Sequence, residues 1–214
     1  MTRKIRWGIL GAGDVCEVKS GPAFQKAEHS ELVAVMRRDP AKAEDFANRH
    51  GVGKWYDSTA ELLADPEIDA IYVATPPHYH VEHGCAVLEA GKHLYLEKPM
   101  GLNADECRQI IGMEEKSPGK VAIAHYRRAL PAFRRIHELI QDGTLGDIRL
   151  AEVNFLLPPK NQMMPAAGYN WRIIPEVSGG GQFHDLSPHL FDLLLVYFGD
   201  PVRCEGFTLR QNPE

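Results

Sequence analysis

A strand-like apolar run that ends in a charged lysine is the first place in this chain where side-chain chemistry and position coincide. Lys92-His93-Leu94-Tyr95-Leu96 leads directly into Glu97-Lys98-Pro99. A lysine partly desolvated at the carboxyl end of a strand can orient or protonate a substrate oxygen, and Pro99 fixes the turn that carries it. Taken alone the tripeptide reads as an ordinary surface turn, because most lysines are solvated. The residues elsewhere in the chain change that reading.

Asp185 and His189 stand four residues apart in the segment 179–192. On one helix they project from one face and can grip a single substrate hydroxyl. Histidine exchanges a proton near neutral pH, and a nearby carboxylate raises its basicity. In the competing reading Asp185 caps a helix and His189 packs against its neighbour. Pro188 suits the first turn of a helix and not its interior, which leaves the facing of Asp185 open.

The third set is Gly11-Ala12-Gly13-Asp14-Val15, directly after the apolar run Ile5-Arg6-Trp7-Gly8-Ile9-Leu10 and before a helical pattern. Strand, tight glycine turn and helix is the order a dinucleotide site needs. Gly11 permits the turn, and Gly13 lets the backbone approach a pyrophosphate met by amides at the helix start. Cys16 occupies the third glycine position of G-x-G-x-x-G and is small enough to keep helix and strand close.

The end of the second strand bears on cofactor choice. An acidic residue there binds the ribose 2'-hydroxyl of NAD, whereas arginine accommodates the 2'-phosphate of NADP. This chain has Met36-Arg37-Arg38, and Asp39 before Pro40 reads as a helix N-cap. NADP is favoured over NAD; the alternative is that both arginines are surface charges. His78, His80 and His83 lack the helical pairing with a third carboxylate that a metal would want, so a structural or cofactor-contact role is preferred and no metal site is expected.

These groups need a scaffold, and the periodicity supplies one. Strand patterns at 31–36, 70–74, 93–96 and 121–124 alternate with helical patterns at 41–50, 58–64, 79–90 and 104–116, the rhythm of a doubly wound α/β sheet. Ligands bind at the carboxyl ends of such strands, where both Glu97-Lys98-Pro99 and Ala74-Thr75-Pro76-Pro77 fall. Beyond residue 124 the pattern changes. An amphipathic helix over 131–142, a strand over 148–157, a helix over 185–198 and a strand over 202–209 suit an α+β domain with a mostly antiparallel sheet. The expected domains are 1–124 and 125–214.

Composition narrows the partners. The 214 residues are 44% hydrophobic and 25% charged, the balance of a globular protein. A formal charge of -5 argues against nucleic acid as the main partner. Cys16, Cys85, Cys107 and Cys204 lie far apart without metal-type spacing and read as reduced thiols. No segment has the length or apolarity of a signal peptide or a membrane span, so a cytoplasmic location is expected.

The residues together resemble the Gfo/Idh/MocA oxidoreductases, named for glucose-fructose oxidoreductase and inositol dehydrogenase. The resemblance rests on Gly8-Ile9-Leu10-Gly11-Ala12-Gly13, on Ala74-Thr75-Pro76 with His80, on Ala90-Gly91-Lys92-His93 leading into Glu97-Lys98-Pro99, on Trp171-Arg172 and on the segment 179–192. It implies a Rossmann domain, a second domain with an open antiparallel sheet, and hydride transfer between NAD(P) and a sugar, polyol or related carbonyl compound. The family's catalytic lysine falls on Lys98, and its paired acid and histidine on Asp185 and His189. In that picture His189 exchanges a proton with the reacting oxygen, Lys98 polarises it, and Asp185 holds the neighbouring hydroxyl.

The cofactor contacts implied are Gly11, Gly13, Asp14, Val15, Arg37, Arg38, Thr75, Pro76, His80, Glu97, Trp171 and Arg172, with Tyr126 and Arg127 bordering the substrate pocket. Pro77 stands where many members have Asn. Members usually run well past 300 residues, so a partial or truncated second domain is expected, its sheet covered by a second copy in a homo-oligomer. The rival function is a nucleotide-binding sensor or regulatory relative without turnover.

Overall fold

The computed structural model describes residues 3–156 and 171–207. Six strands form one parallel sheet: β1 (Ile5–Leu10), β2 (Ser30–Met36), β3 (Lys54–Tyr56), β4 (Ala70–Val73), β5 (His93–Leu96) and β6 (Val121–Ile123), in the order β3-β2-β1-β4-β5-β6. This is the doubly wound dinucleotide-binding order, with its crevice where the strand order reverses around β1. The register sets the ends level, because Leu10 lies opposite both Met36 and Val73, Val73 opposite Leu96, and Leu96 opposite Ile123. Residues 11, 37, 74 and 97 therefore leave the sheet along one edge.

Successive side chains of a strand point to opposite faces, and here both faces are covered. Ile71, Val73, Leu94 and Leu96 join Leu62, Leu88 and Ile110 in one core, which α3 (Thr59–Ala64), α4 (His80–Glu89) and α5 (Ala104–Glu114) close. Ile9, Val35 and Tyr72 join Cys16, Phe46 and Ala47 on the other face, beneath α1 (Gly21–Lys26) and α2 (Pro40–His50). Burying both faces of β4 explains its uninterrupted apolar run.

The link from β1 to α1 is a π-type turn, Cys16–Ser20, in which the Gly21 amide donates to the Cys16 carbonyl. A Cβ at Gly21 would stand 2.4 Å from that oxygen. Cys16 fills the third glycine position without strain, fully buried, and the close approach falls instead on Gly21. Burial pushes the Cys16 thiol up to about 12, so it is inert packing.

The described residues form two compact units, 3–124 with 171–185, and 125–156 with 186–207. The first stretch of the first unit ends at Ala124, and 171–185 belongs to that unit as well, so the units are not divided at a single point along the chain. In the second unit α6 (Pro131–Gln141) packs on α9 (Pro188–Phe198), and the Tyr197 hydroxyl donates to the Phe133 carbonyl at 2.9 Å.

The helix expected over 185–198 is two helices, α8 (Gly181–Leu186) and α9, with the short α7 (Pro175–Ser178) before them. Pro188 occupies the first turn of α9, so the chain restarts there. The expected antiparallel sheet has no counterpart among the described residues. Positions 148–156 and 202–207 carry no strand, since neither segment has a ladder partner there, and residues 157, 208 and 209 of those expected strands lie outside the described residues. The surface on which an oligomer was expected is therefore not formed by described strands. Among the described residues no helix is long and apolar enough to cross a membrane.

Candidate functional site

Above the level strand ends of the first unit lies a cleft of about 710 Å³. The glycine turn supplies Gly11, Ala12, Gly13, Asp14 and Val15; the end of β2 supplies Arg37, Arg38 and Asp39; and the end of β4 supplies Ala74, Thr75 and Pro76. Lys42, Thr59, Tyr79, Glu82, His83, Trp171 and Arg172 complete much of the wall. Ten of the cofactor contacts expected from sequence thus share one cleft: Gly11, Gly13, Asp14, Val15, Arg37, Arg38, Thr75, Pro76, Trp171 and Arg172.

The two glycines have different reasons. Gly11 has φ +87°, and a Cβ there would stand 2.7 Å from Thr75 Cγ2 and 3.2 Å from the Thr75 amide nitrogen. Its amide and that of Ala12 both donate to the Met36 carbonyl, at 3.0 and 3.2 Å, folding the turn back over β2. Gly13 needs no glycine for internal reasons, since a Cβ there meets nothing nearer than the Gly11 carbonyl at 3.8 Å. The open space over Gly13 is a cradle that a pyrophosphate fits and a side chain would fill.

At the other end of the cleft the charge is positive. Arg37, Arg38 and Lys42 all line it, and the Arg38 guanidinium lies 5.7 Å from the centre of the Tyr79 ring. Asp39 is engaged as the N-cap of α2, accepting from the Lys42 amide at 3.2 Å, with the Lys42 ammonium 3.5 Å from its other oxygen. Those contacts hold its pKa below the ordinary value, with the Lys42 amide the largest cause. An adenosine 2'-phosphate fits this end, and sequence reasoning missed Lys42 and Tyr79, whose contribution depends on α2 and α4 being packed beside β2 and β4.

Lys98 is the next piece. Its ammonium donates to the Asp185 carbonyl and to Asp185 Oδ1, both at 2.6 Å, with the two side chains only 13% and 9% exposed. The other carboxylate oxygen of Asp185 lies 3.3 Å from Arg172 Nε, and the Arg172 guanidinium lies 4.5 Å from the Trp171 ring centre. Asp185 is therefore bracketed by two cations, one of which also lines the cleft. The Lys98–Pro99 peptide is cis.

Two expected cofactor contacts are placed elsewhere. His80 is fully buried: its Nδ1 is 2.7 Å from the Pro99 carbonyl and its Nε2 is 2.9 Å from the Thr75 carbonyl. It is a strut behind the cleft, because α4 begins at His80 and turns that ring into the protein. Glu97 accepts from the Tyr72 hydroxyl at 2.5 Å and from the Lys98 amide at 3.2 Å. Its carboxylate holds its own turn and does not line the cleft.

His189, Tyr126 and Arg127 belong to the second unit. His189 is buried at the start of α9, with the Tyr126 ring edge-on at 4.9 Å and the His125 ring at 6.1 Å. Tyr126 and Arg127 open a 3-10 turn, Tyr126–Ala129, with Tyr126 about half exposed and Arg127 partly buried. Arg128 anchors that turn to α9, donating from Nε to both carboxylate oxygens of buried Asp192, at 2.8 and 2.7 Å, and again through its terminal nitrogen. Nothing in the local sequence around Arg128 points to Asp192, which lies 64 positions further along the chain. No cluster able to hold a metal ion occurs among the described residues.

Residues 5–125 match the model of an oxidoreductase family with an NAD-binding Rossmann fold, and residues 133–214 match the GFO/IDH/MocA C-terminal domain. The chain belongs to the Gfo/Idh/MocA oxidoreductase family. A relative from Formosa agariphila, described as an oxidoreductase, is 44% identical over 212 residues, which cover 99% of this chain and 66% of that protein. A 1,5-anhydro-D-fructose reductase of Ensifer adhaerens is 29% identical over 206 residues, 95% of this chain and 60% of that one.

Among solved structures, a 3-ketoreductase from Actinomadura kijaniata in complex with NADP and TDP-benzene superposes with a TM-score of 0.81 at 25% identity. That match covers 92% of this Gfo/Idh/MocA chain and 58% of the ketoreductase. The chain spans from 58% to 66% of the length of these three relatives.

Proposed function

We propose that this Gfo/Idh/MocA chain carries out hydride transfer between NADP and a sugar, polyol or related carbonyl compound. The observation that carries the reading is the Lys98–Asp185–Arg172 chain of contacts, which joins a desolvated lysine to the wall of a dinucleotide cleft. The sugar class is supported by the anhydrofructose reductase and by the ketoreductase solved with NADP.

Gly11 and Gly13 shape the turn that receives the pyrophosphate, while Arg37, Arg38 and Lys42 meet the 2'-phosphate. Trp171 and Arg172 line the same cleft. When bound, NADP supplies a nicotinamide ring that accepts or returns a hydride. In the oxidising direction the substrate hydroxyl yields its proton to His189 and its carbon-bound hydrogen leaves with both electrons, so the C–O bond becomes a carbonyl. Lys98 orients and polarises that oxygen, and Asp185 accepts a hydrogen bond from the adjacent hydroxyl. Tyr126 and Arg127 border the substrate.

Titrating the protein with NADPH and NADH by nicotinamide fluorescence, then screening sugars and polyols by absorbance, tests the reading. NADPH is expected to bind more tightly than NADH, and Arg37→Asp to weaken NADPH more than NADH. Equal losses for the two nucleotides would remove the 2'-phosphate role. Lys98→Ala is expected to lower kcat by on the order of a hundredfold, the size of a lost general acid or electrostatic contact. An unchanged kcat would end the catalytic assignment of Lys98 even if the nucleotide binds.

A further inference from the structure

The Lys98 side chain is held by Asp185, yet the backbone that aims it is held separately, by two buried groups from β4 and α4. On one side the Lys98 amide donates to Glu97 Oε2 at 3.2 Å. Glu97 Oε1 accepts from the Tyr72 hydroxyl at 2.5 Å, and that hydroxyl accepts from Ser20 Oγ at 3.0 Å. On the other side His80 Nδ1 faces the carbonyl of Pro99 at 2.7 Å, while Nε2 faces that of Thr75 at 2.9 Å. Thr75 lines the dinucleotide cleft.

We infer that Tyr72 and His80 are positioning residues that hold the backbone around Lys98, Tyr72 by fixing the Glu97 carboxylate that accepts the Lys98 amide and His80 by filling the space between the Pro99 and Thr75 carbonyls. The inference rests on Lys98 acting in the proposed reaction.

The placement of the Tyr72 hydroxyl needs such a reason. The ring is 1% exposed and packs in an apolar core against Phe24 and Tyr95, at 5.3 Å from each, where phenylalanine would fill the same space. A hydroxyl in such a core is destabilising unless it is hydrogen-bonded, and its two partners here are Ser20 and Glu97. Burial and the adjacent Glu97 charge push the phenol's pKa up, so it stays a donor throughout the working range. Glu97 would otherwise be a carboxylate free to swing away from the Lys98 amide.

His80 carries the parallel argument. A neutral imidazole has one N–H, so the ring donates either to the Pro99 carbonyl or to the Thr75 carbonyl, according to its tautomer, and both oxygens lie within hydrogen-bond reach. Burial is the main influence on this ring and favours the neutral form, with His83 and His78 adding to it, against the two carbonyls. With no exposed surface, the ring cannot move without opening the junction between β4 and the Lys98 turn.

The variants Tyr72→Phe and His80→Gln test the clamp on the whole chain without any assumption about substrate. Amide hydrogen exchange at Lys98 is expected to accelerate about tenfold in Tyr72→Phe, the size of one lost hydrogen bond, with circular dichroism unchanged. Arylation of the Lys98 amine by trinitrobenzenesulfonate, which displaces sulfite, followed by peptide mass spectrometry, is expected to speed up several-fold in both variants as the Asp185 pairing loosens. With NADPH and a carbonyl substrate from the screen, kcat is expected to fall by about ten- to a hundredfold, since misplacing a reacting group by an ångström has that effect. The NADPH dissociation constant of Tyr72→Phe should stay within about twofold, because Tyr72 lies outside the cleft.

Unchanged exchange and arylation in both variants would overturn the clamp, whether or not the protein turns over a substrate. A loosened Lys98 with an unchanged kcat would overturn the positioning role while leaving nucleotide binding intact. Tyr72→Phe keeps the proposal falsifiable should His80→Gln fail to fold.

Discussion

The two glycines of the dinucleotide turn separate folding from ligand fit at single-residue resolution. Gly11→Ala forces a side chain into a left-handed conformation and against Thr75, and is expected to destabilise by roughly 2–3 kcal/mol. Gly13→Ala has neither problem and should leave stability within about 0.5 kcal/mol of wild type. Its effect belongs to the ligand: the added methyl occupies the cradle, so NADPH affinity is expected to fall at least about tenfold, as for a lost backbone–phosphate hydrogen bond. Thermal melts and NADPH titrations of the two variants make the comparison, and normal NADPH binding by Gly13→Ala would mean the pyrophosphate lies elsewhere. The glycine spacing was legible in sequence because a tight strand-to-helix turn has a local pattern of its own, although the contacts of Gly11 with Thr75 and Met36 did not show there. His80 and Glu97 were read as cofactor contacts because motif order gives position along the chain and not the direction a side chain takes. Tyr72 and Lys42 carried no local signal, since their importance comes from residues that are distant in sequence.

Helix and strand signals were clearest where a residue acts on its own neighbours. Asp39-Pro40 marked the start of α2, and Asp39 does accept the Lys42 amide, with Gly51 closing the helix in a left-handed cap. Asp39→Ala is expected to lower stability by about 1 kcal/mol, the value of an N-cap. The same substitution removes a negative charge from the basic end of the cleft and releases Lys42, so NADPH should bind more tightly relative to NADH. If the nucleotide ratio does not move, Lys42 takes no part in the 2'-phosphate site. β3 was not legible because three residues, Lys54, Trp55 and Tyr56, show no period, and only pairing with β2 makes them a strand. The expected strand over 148–157 contains apolar residues, which mark a segment suited to burial without specifying its partner. The helix break before α9 was present in the sequence as Pro188, whose preference for a first turn outweighs the i, i+4 spacing of Asp185 and His189.

Across the whole molecule, the first unit is fastened by charged groups whose titration sets its acid stability. Asp69 accepts from the Arg6 amide and guanidinium and from Arg3, joining the start of β1 to the residue before β4, and Arg6 holds its pKa down to about 2. Glu17 accepts from Arg49 and pairs with His50, joining the Cys16–Ser20 turn to the end of α2, and Arg49 holds it down to about 2. Carboxylates depressed in the folded state stabilise it fully above their unfolded pKa values of about 4, and that contribution is lost as the pH falls from there toward 2. His80 acts at higher pH. Burial lowers its folded pKa, so below about 6.5 the unfolded chain takes up a proton that the native ring resists, and stability falls as the solution is acidified. Two descending steps are expected in a plot of stability against pH, one beginning near 6.5 and one near 4. All three tryptophans, Trp7, Trp55 and Trp171, lie in the first unit, so tryptophan fluorescence follows its unfolding in particular. In urea melts, Asp69→Asn with Glu17→Gln should flatten the lower step and leave the upper one, whereas His80→Gln should reduce the upper step alone. An acid profile unmoved by the double variant would show that these ion pairs do not fasten β1 to the start of β4 or the Cys16–Ser20 turn to α2.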